Sequence, residues 1–155
     1  MRCFLLLLTG LAIGPGLAHA QLAERPVLTL EAVKAMMNAA EAEAARNNWN
    51  VSIAIVDAHG DLLAFRRLDG AHLGSIDIAQ GKARTAARLR RPTRALAEGL
   101  AAGNLAFLSV DGITALQGGL PIDVGGTVIG AVGVSGVTSA QDEQIAAAGI
   151  AALRR

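Results

Sequence analysis

Residues 118–136 contain two apolar runs on either side of a glycine pair. Leu120, Ile122 and Val124 alternate before Gly125-Gly126, and a run rich in valine and isoleucine follows at 127–134. Two such runs joined by glycines predict a β-hairpin with a tight turn. We expect this hairpin to lead into a buried strand, around which the remaining elements must pack.

Two glycines inside the second strand, Gly130 and Gly133, need a reason of their own, because glycine weakens a strand interior. Either a helix crosses the sheet closely at this point or a flat ligand lies on the strand. The spacing does not match G-x-G-x-x-G or G-x-x-x-x-G-K-[ST], so these glycines do not predict a phosphate-binding loop.

The first twenty residues have the pattern of a secretory signal peptide. Arg2 precedes an apolar run at 4–13, and Ala18-His19-Ala20 is a small-x-small cleavage site. The run is shorter than the roughly 20 residues that span a bilayer, so no permanent membrane anchor is expected. We predict export to the periplasm or the extracellular space and a mature chain that begins at Gln21.

Cleavage changes the charge and the cysteine content of the chain. Losing Arg2 from 14 basic residues leaves 13, against 13 acidic residues, so no general attraction to nucleic acid is expected. The single cysteine, Cys3, is lost as well, which excludes disulfides and cysteine-ligated metals from the mature protein. The length of the remainder, 21–155, fits one domain.

The first half of the mature chain predicts a helix, a hairpin and two more helices. Apolar residues at helical spacing follow Thr29, a good N-cap, and alternating residues at 51–68 predict a hairpin that turns at 57–61. A helix with Ser75 as N-cap must stop before Pro92, which in turn begins a short helix that reaches about residue 100.

The second half predicts a loop at 104–110, a short strand at 112–116, the hairpin described above and a C-terminal helix. That helix has the pattern of a capping box, in which Ser139 is followed three residues later by Asp142, and Arg154 and Arg155 lie at its end. Because hairpins link most of the strands, the order of elements predicts an α+β domain with an antiparallel sheet and packed helices.

A polar stretch between Asp69 and Asp77 is the best candidate for chemistry. It contains the imidazole of His72, and Lys82 and Arg84 follow one or two helical turns later. These groups suit an axial haem ligand with cations for the propionates. They equally suit an enzyme that moves protons on a small metabolite, in which Asp69, His72 or Asp77 is the acid or base and Arg84 holds a carboxylate.

Other polar residues have plainer interpretations. His59 lies in the predicted turn of the first hairpin, where a solvated loop histidine is expected. An arginine cluster is either a solvated helical face or a surface that binds carboxylates; its members are Arg84, Arg88, Arg90, Arg91 and Arg94.

Several separated segments resemble the GlcG/HbpS family of haem-binding or haem-degrading-like proteins, and the resemblance runs from about Leu28 to Leu153. They occur in the family's order: 51–62, 69–71 before Ser75, 82–86, 118–122, 129–136 and Asp142-Glu143.

The resemblance implies a profilin-like α/β/α fold with a central antiparallel sheet of about five strands. It also implies a homo-oligomer and binding of haem or another tetrapyrrole. Exported members are linked with haem or iron capture and with redox sensing, which fits the predicted signal peptide. There are two alternatives. The protein is an enzyme with lyase-type or isomerase-type chemistry on a small metabolite, or it is a purely structural subunit.

The segments at 82–86 and 118–121 fit the family pattern and are expected to line a pocket or an oligomer interface. The prediction of His72 as the iron ligand rests on its chemistry and position, because the family has no shared axial ligand. Gly130, Ala131 and Gly133 would allow a flat ligand to approach closely. The predicted cofactor site comprises His72 (also the predicted iron ligand), Asp77, Lys82, Arg84, Gly118 and Gly119.

Overall fold

The computed structural model describes residues 25–153. The predicted signal peptide and the arginines at 154 and 155 lie outside this range. The elements follow the order α1 (Leu30–Arg46), β1 (Ser52–Asp57), β2 (Leu62–Arg67), α2 (Ser75–Leu89), α3 (Thr93–Ala101), a 3-10 helix (Leu105–Ser109), β3 (Gly119–Val124), β4 (Thr127–Ser135) and α4 (Ser139–Ala151).

The four strands form one antiparallel sheet in the order β2-β1-β4-β3. In the central pair, Ser52 of β1 faces Ser135 of β4, and Asp57 faces Gly130 at the other end. The α+β prediction is confirmed, with four strands in place of about five. The difference arises at 112–116, which was predicted as a strand. Thr114 instead packs on Gly81 and donates its backbone N–H to Thr85 Oγ1 (2.9 Å), so this segment covers the outer side of α2.

Helices cover both faces of the sheet, as in the predicted α/β/α layers. Ile53 and Ile55 point to the face where α1 and α4 pack, whereas Ala54 and Val56 point to α2. This alternation follows from the two-residue period of a strand. Full burial of each large aliphatic side chain contributes about 1.5–3 kcal/mol, so the layer on the α1 and α4 side supplies most of the apolar stabilisation.

Gly133 is the point of closest approach between β4 and α2. A Cβ at this position would collide with the backbone of Ala79 and Ala83. The helix explanation of this strand glycine is therefore correct, and α2 occupies the place considered for a flat ligand. Ala131 is buried in the same cluster. Gly130 points to the other face, where a Cβ would collide with Leu28 and the backbone of Val56.

Three predicted helix starts are wrong by one residue. One is that of α3, which begins at Thr93 with Pro92 as its N-cap instead of beginning at Pro92. Thr29 caps α1 as predicted and accepts from Ala32 N–H, but the N-cap of α2 is Gly74, and α2 begins at Ser75. The hydroxyl of Ser75 instead donates to the backbone carbonyl of His72 (2.6 Å) and shares a hydrogen bond with Ser52 (2.8 Å). Ser75 thus joins the loop before α2 to the start of β1.

The start of α4 differs in the same way. Its N-cap is Thr138, and the capping box pairs Thr138 with Gln141 rather than Ser139 with Asp142. The carboxylate of Asp142 therefore does not cap the helix; its Oδ1 accepts from Val137 N–H (3.2 Å), and its Oδ2 accepts from Lys82 in the interior (2.8 Å). The region predicted as a loop at 104–110 contains the 3-10 helix that follows α3. Among residues 25–153, no helix is long and apolar enough to cross a membrane.

Candidate functional site

Lys82 lies in the middle of α2, and its side chain is buried at the edge of the sheet. Its Nζ donates hydrogen bonds to the backbone carbonyl of Val134 (2.9 Å) and to Oδ2 of Asp142 (2.8 Å). Both side chains of this ion pair are 3% exposed. Because α2 and α4 cover opposite faces of the sheet, the pair joins the two helical layers around the β3 and β4 strands.

Burial raises the pKa of Asp142, because the carboxylate is removed from water. The hydrogen bond and charge of Lys82 and the backbone N–H of Val137, which donates to Oδ1 (3.2 Å), act in the opposite direction. The charge of His72 also favours the ionised carboxylate. His72 therefore lies within electrostatic reach of the buried pair.

Gly118 closes the backbone over this ion pair. It has φ +123°, and a Cβ here would lie 2.9 Å from Lys82 Nζ and 2.8 Å from Asp142 Cβ. Its carbonyl accepts from Val134 N–H (3.0 Å), which fixes the start of β3 against β4. Only glycine combines this backbone conformation with such close packing.

Gly119 packs on the other side of Lys82, against its backbone. The N–H of Gly119 donates to Oγ1 of Thr93 (2.9 Å), the first residue of α3. A Cβ at Gly119 would lie 2.8 Å from Thr93 Cγ2. The structure thus brings together Lys82, Gly118 and Gly119 of the predicted site. A ligand carboxylate would reach the ammonium of Lys82 only by displacing backbone or Asp142.

Glu143 follows Asp142 in the sequence and carries a second carboxylate, which no sequence pattern singled out as a site residue. Its Oε1 lies 3.7 Å from Nε of Arg94, while Oε2 is buried and has no hydrogen-bond partner among residues 25–153. The Asp142-Glu143 dipeptide was one of the segments that carried the family resemblance. The position of its neighbours could not be read from the sequence, because Arg94 belongs to a different helix.

His72 lies in the loop before α2 and is exposed. Its backbone carbonyl accepts from the N–H and the hydroxyl of Ser75 (3.0 and 2.6 Å), so the loop is held firmly at this residue. The neighbouring Ala71 carbonyl accepts two hydrogen bonds from the guanidinium of Arg67 (3.1 and 2.7 Å). The imidazole of His72 is therefore accessible on a fixed backbone.

Asp77 and Arg84 do not converge with His72. They lie two turns apart on the outer side of α2, where Asp77 is exposed. Arg84 packs beside Gly60, in the turn between β1 and β2. Nine residues separate Ser75 from Arg84, which corresponds to about 13 Å along a helix. The predicted set of six residues is therefore divided: Lys82 meets Gly118 and Gly119 at the middle of α2, His72 and Asp77 lie toward its start, and Arg84 packs against the β1–β2 turn.

The arginine cluster is divided as well. Arg88 Nε donates to the backbone carbonyl of His59 (2.8 Å), which ties α2 to the β1–β2 turn. Arg90 forms the C-cap of α2 in a left-handed conformation (φ +52°). Arg94 pairs with Glu98 and Glu143 on α3 and α4. The cluster is not one continuous binding surface.

A groove lies at the end of the sheet opposite to Lys82 and Asp142, and we call it the His59 groove. It consists of two adjoining cavities of about 260 and 340 Å³ that share Arg25, Pro26, Ala58, His59, Thr127 and Val128. A further cavity of about 670 Å³ lies between the start of α1 and the end of α4, where Glu31 contributes a carboxylate.

These features define a class of protein, an α/β/α domain in which one antiparallel sheet separates two helical layers. The ion pair of Lys82 and Asp142, covered by Gly118, lies at one end of the sheet, and the His59 groove lies at the other. The chain belongs to the family described as haem degrading protein HbpS-like, whose model matches residues 28–151. It is 45% identical to protein GlcG of Escherichia coli over 109 residues, which are 70% of this chain and 81% of the relative.

Two solved structures show the same fold. An HbpS double mutant from Streptomyces reticuli is 36% identical with a TM-score of 0.80, and the similarity covers 93% of this chain and 99% of that one. A PduOC:haem complex is 29% identical with a TM-score of 0.77, over 83% of this chain and 96% of that one. The fold is thus shared with a protein that was solved with haem bound.

Proposed function

We propose that this protein is exported and binds haem or a related tetrapyrrole, in a role in haem or iron capture or in redox sensing. The observation that carries the proposal is the similarity to the PduOC:haem complex over most of both chains. Membership of the HbpS-like family supports the same ligand class. Export is inferred from the leader pattern at 1–20.

The donor groups of the described chain suit a haem. His59 and His72 are both exposed, so a ligand can reach either imidazole, and neutral imidazole is a common axial ligand of haem iron. Exposed arginines, among them Arg25 and Arg90, can hold propionates by charge-assisted hydrogen bonds. When bound, haem would supply the redox-active iron, and the chain would supply the ligand, the counter-charges and the apolar surface.

We also infer that the protein self-associates, as the family resemblance implied. The segment after α3 exposes several large apolar side chains, and Leu105, Leu108 and Val110 are 64%, 70% and 52% exposed. Apolar clusters of this kind on a soluble domain mark interaction sites. Light scattering of the wild type and of Leu108→Glu tests this, because a charge in a subunit interface would reduce the oligomer mass. An unchanged mass in the variant would place the interface elsewhere.

Titration of hemin into purified 21–155, followed by absorption at the Soret band, tests the proposed function. We expect a saturable shift and a rise in melting temperature, because a ligand that binds only the native state stabilises it. The variant His72→Ala, measured alongside, tests the predicted axial ligand. No saturable shift at micromolar hemin would reject haem binding, and a screen of small hydroxy acids would then test the acid–base enzyme alternative.

A further inference from the structure

We propose that the tetrapyrrole binds in the His59 groove, with the imidazole of His59 directed to the iron and Arg25 and Arg90 holding the propionates. This inference rests on the proposed function and assigns its site to the end of the sheet opposite to His72 and Lys82. The observations that carry it are the apolar wall of the groove, the fixed position of the His59 turn and the charges at the groove's edge.

The wall of the groove is apolar and comes from three parts of the chain. The segment before α1 contributes one side, the start of β4 the second, and β2 the third. The apolar lining residues are Pro26, Val27, Leu28, Leu63, Val128 and Ile129. Ligand sites are concave and mostly apolar, with a few polar groups. The 260 Å³ cavity is mostly apolar and the adjoining 340 Å³ cavity is mostly polar, so the groove combines an apolar wall with a polar side.

His59 is carried on a turn that the rest of the fold holds in place. Oδ1 of Asp57 accepts from the backbone N–H groups of His59 (2.8 Å) and Asp61 (2.9 Å). Arg88 of α2 donates to the His59 carbonyl (2.8 Å). Gly60 has φ +89° and packs so closely on α2 that a Cβ would lie 2.9 Å from Arg84 Cγ. The imidazole is therefore mobile only about its own side-chain bonds.

The environment of His59 suits a metal ligand. Oδ2 of Asp57 lies 3.7 Å from Nδ1 of His59. This distance is longer than a hydrogen bond, so Asp57 acts on the imidazole as a neighbouring carboxylate rather than as a bonded partner. Carboxylates near metal-binding histidines commonly help to orient the ring.

The groove also has the charges that a dicarboxylate requires. Arg25 and Arg90 both line the 340 Å³ cavity beside His59. Arg25 belongs to the segment before α1, and Arg90 caps α2, so the two guanidinium groups come from different parts of the chain. Among residues 25–153, Asp57 is the one acidic side chain that lines the adjoining cavity, and its Oδ1 already accepts from backbone N–H groups of the turn. An apolar ligand with two carboxylates matches this distribution of charge.

Titrations of hemin and of metal-free protoporphyrin into the full mature chain distinguish the role of His59 as iron ligand from the role of Arg25 and Arg90 as partners of the propionates. His59→Ala should weaken hemin binding about tenfold or more and alter the Soret spectrum, with protoporphyrin affinity nearly unchanged, because only hemin offers iron to the imidazole. The double variant Arg25→Gln/Arg90→Gln should weaken both ligands about fivefold or more. Arg91→Gln, a change at an exposed neighbour outside the groove lining, is the matched control.

Each result decides the assignment. Hemin binding that changes in His59→Ala but not in His72→Ala supports the groove, and far-ultraviolet circular dichroism of each variant confirms folding. Hemin binding that is unchanged in His59→Ala and in the arginine double variant overturns the groove while the proposed function stands. Hemin binding lost only in His72→Ala moves the iron to the loop before α2. No hemin binding by the wild type overturns both proposals.

Discussion

Lys82 and Asp142 are 60 residues apart in sequence, and their charged atoms lie 2.8 Å apart in the interior. Lys82 comes from the helix on one face of the sheet and Asp142 from a helix on the other, so the pair links both layers. Gly118 lies against both side chains and excludes water from them. An ion pair in such a place adds little net stability but is costly to break on one side.

Replacing Lys82 by Met should destabilise the protein by about 3–5 kcal/mol, because Asp142 would remain buried without its counter-charge. Urea denaturation of the wild type and Lys82→Met at neutral pH measures the difference. The double variant Lys82→Met/Asp142→Leu should recover much of the loss, since no buried charge is left. A double variant as unstable as the single one would show that the packing of Lys82, and not the ion pair, determines the loss.

Asp142 should give the protein a characteristic pH dependence. Its pKa is raised above the ordinary 3.8 by burial, so the folded protein binds this proton more tightly than the unfolded chain does. The stability that it contributes is therefore full below the ordinary pKa and is lost as the pH rises through the folded pKa. Denaturation series between about pH 3 and pH 7 should show the wild type losing stability relative to Asp142→Asn in this window.

The same denaturation series, measured on Lys82→Met, tests the direction of the pKa shift of Asp142. Removing Lys82 removes a hydrogen bond and a charge that lower the pKa of Asp142, so the window should extend to higher pH. A wild type that gains stability relative to Asp142→Asn as the pH rises would contradict the raised pKa.

Gly133→Ala should destabilise the protein by about 2–3 kcal/mol, because the added methyl group collides with the backbone of α2, which cannot move away without losing the Ala83 packing. Gly74→Ala is the comparison, since its Cβ would lie 3.5 Å from His72 Nδ1, an ordinary contact, and the change at this N-cap position should cost about 1 kcal/mol or less. Thermal unfolding compares the two variants. Equal stability of the two would show that α2 shifts freely on the sheet.

Local patterns predicted most of the fold. Strand alternation at 51–68 and 118–136 gave both hairpins, and helical spacing gave the four α-helices, because the periods of two and 3.6 residues are properties of short segments. The sequence alone does not show why residue 133 is a glycine, because a crossing helix and a flat ligand both require a strand residue without a side chain. The segment at 112–116 was wrongly predicted as a strand. It packs on the outer side of α2, and no local sequence pattern indicates such a contact.

The candidate site was harder to predict, since side chains distant in sequence form it. Lys82 and the Gly118-Gly119 turn were singled out, but nothing local shows that Asp142 completes the group. His59 was interpreted as a solvated loop residue from its turn, and the turn is correct. What the turn alone does not reveal is that the chain before α1 and the β3–β4 hairpin meet beside it and form a groove.

The capping residue of α4 offers the sharpest test of helix geometry, because two neighbouring residues compete for the role. The side chain of Thr138 accepts from the backbone N–H of Gln141, and the Gln141 side chain accepts from Thr138 N–H (3.1 Å). Thr138→Ala should therefore cost about 1 kcal/mol in urea denaturation. Ser139→Ala, at the first helical position, should change stability by less than about 0.5 kcal/mol. A larger loss of stability in Ser139→Ala than in Thr138→Ala would assign the cap to Ser139. It would also make Asp142 a capping residue, which conflicts with its contact to Lys82.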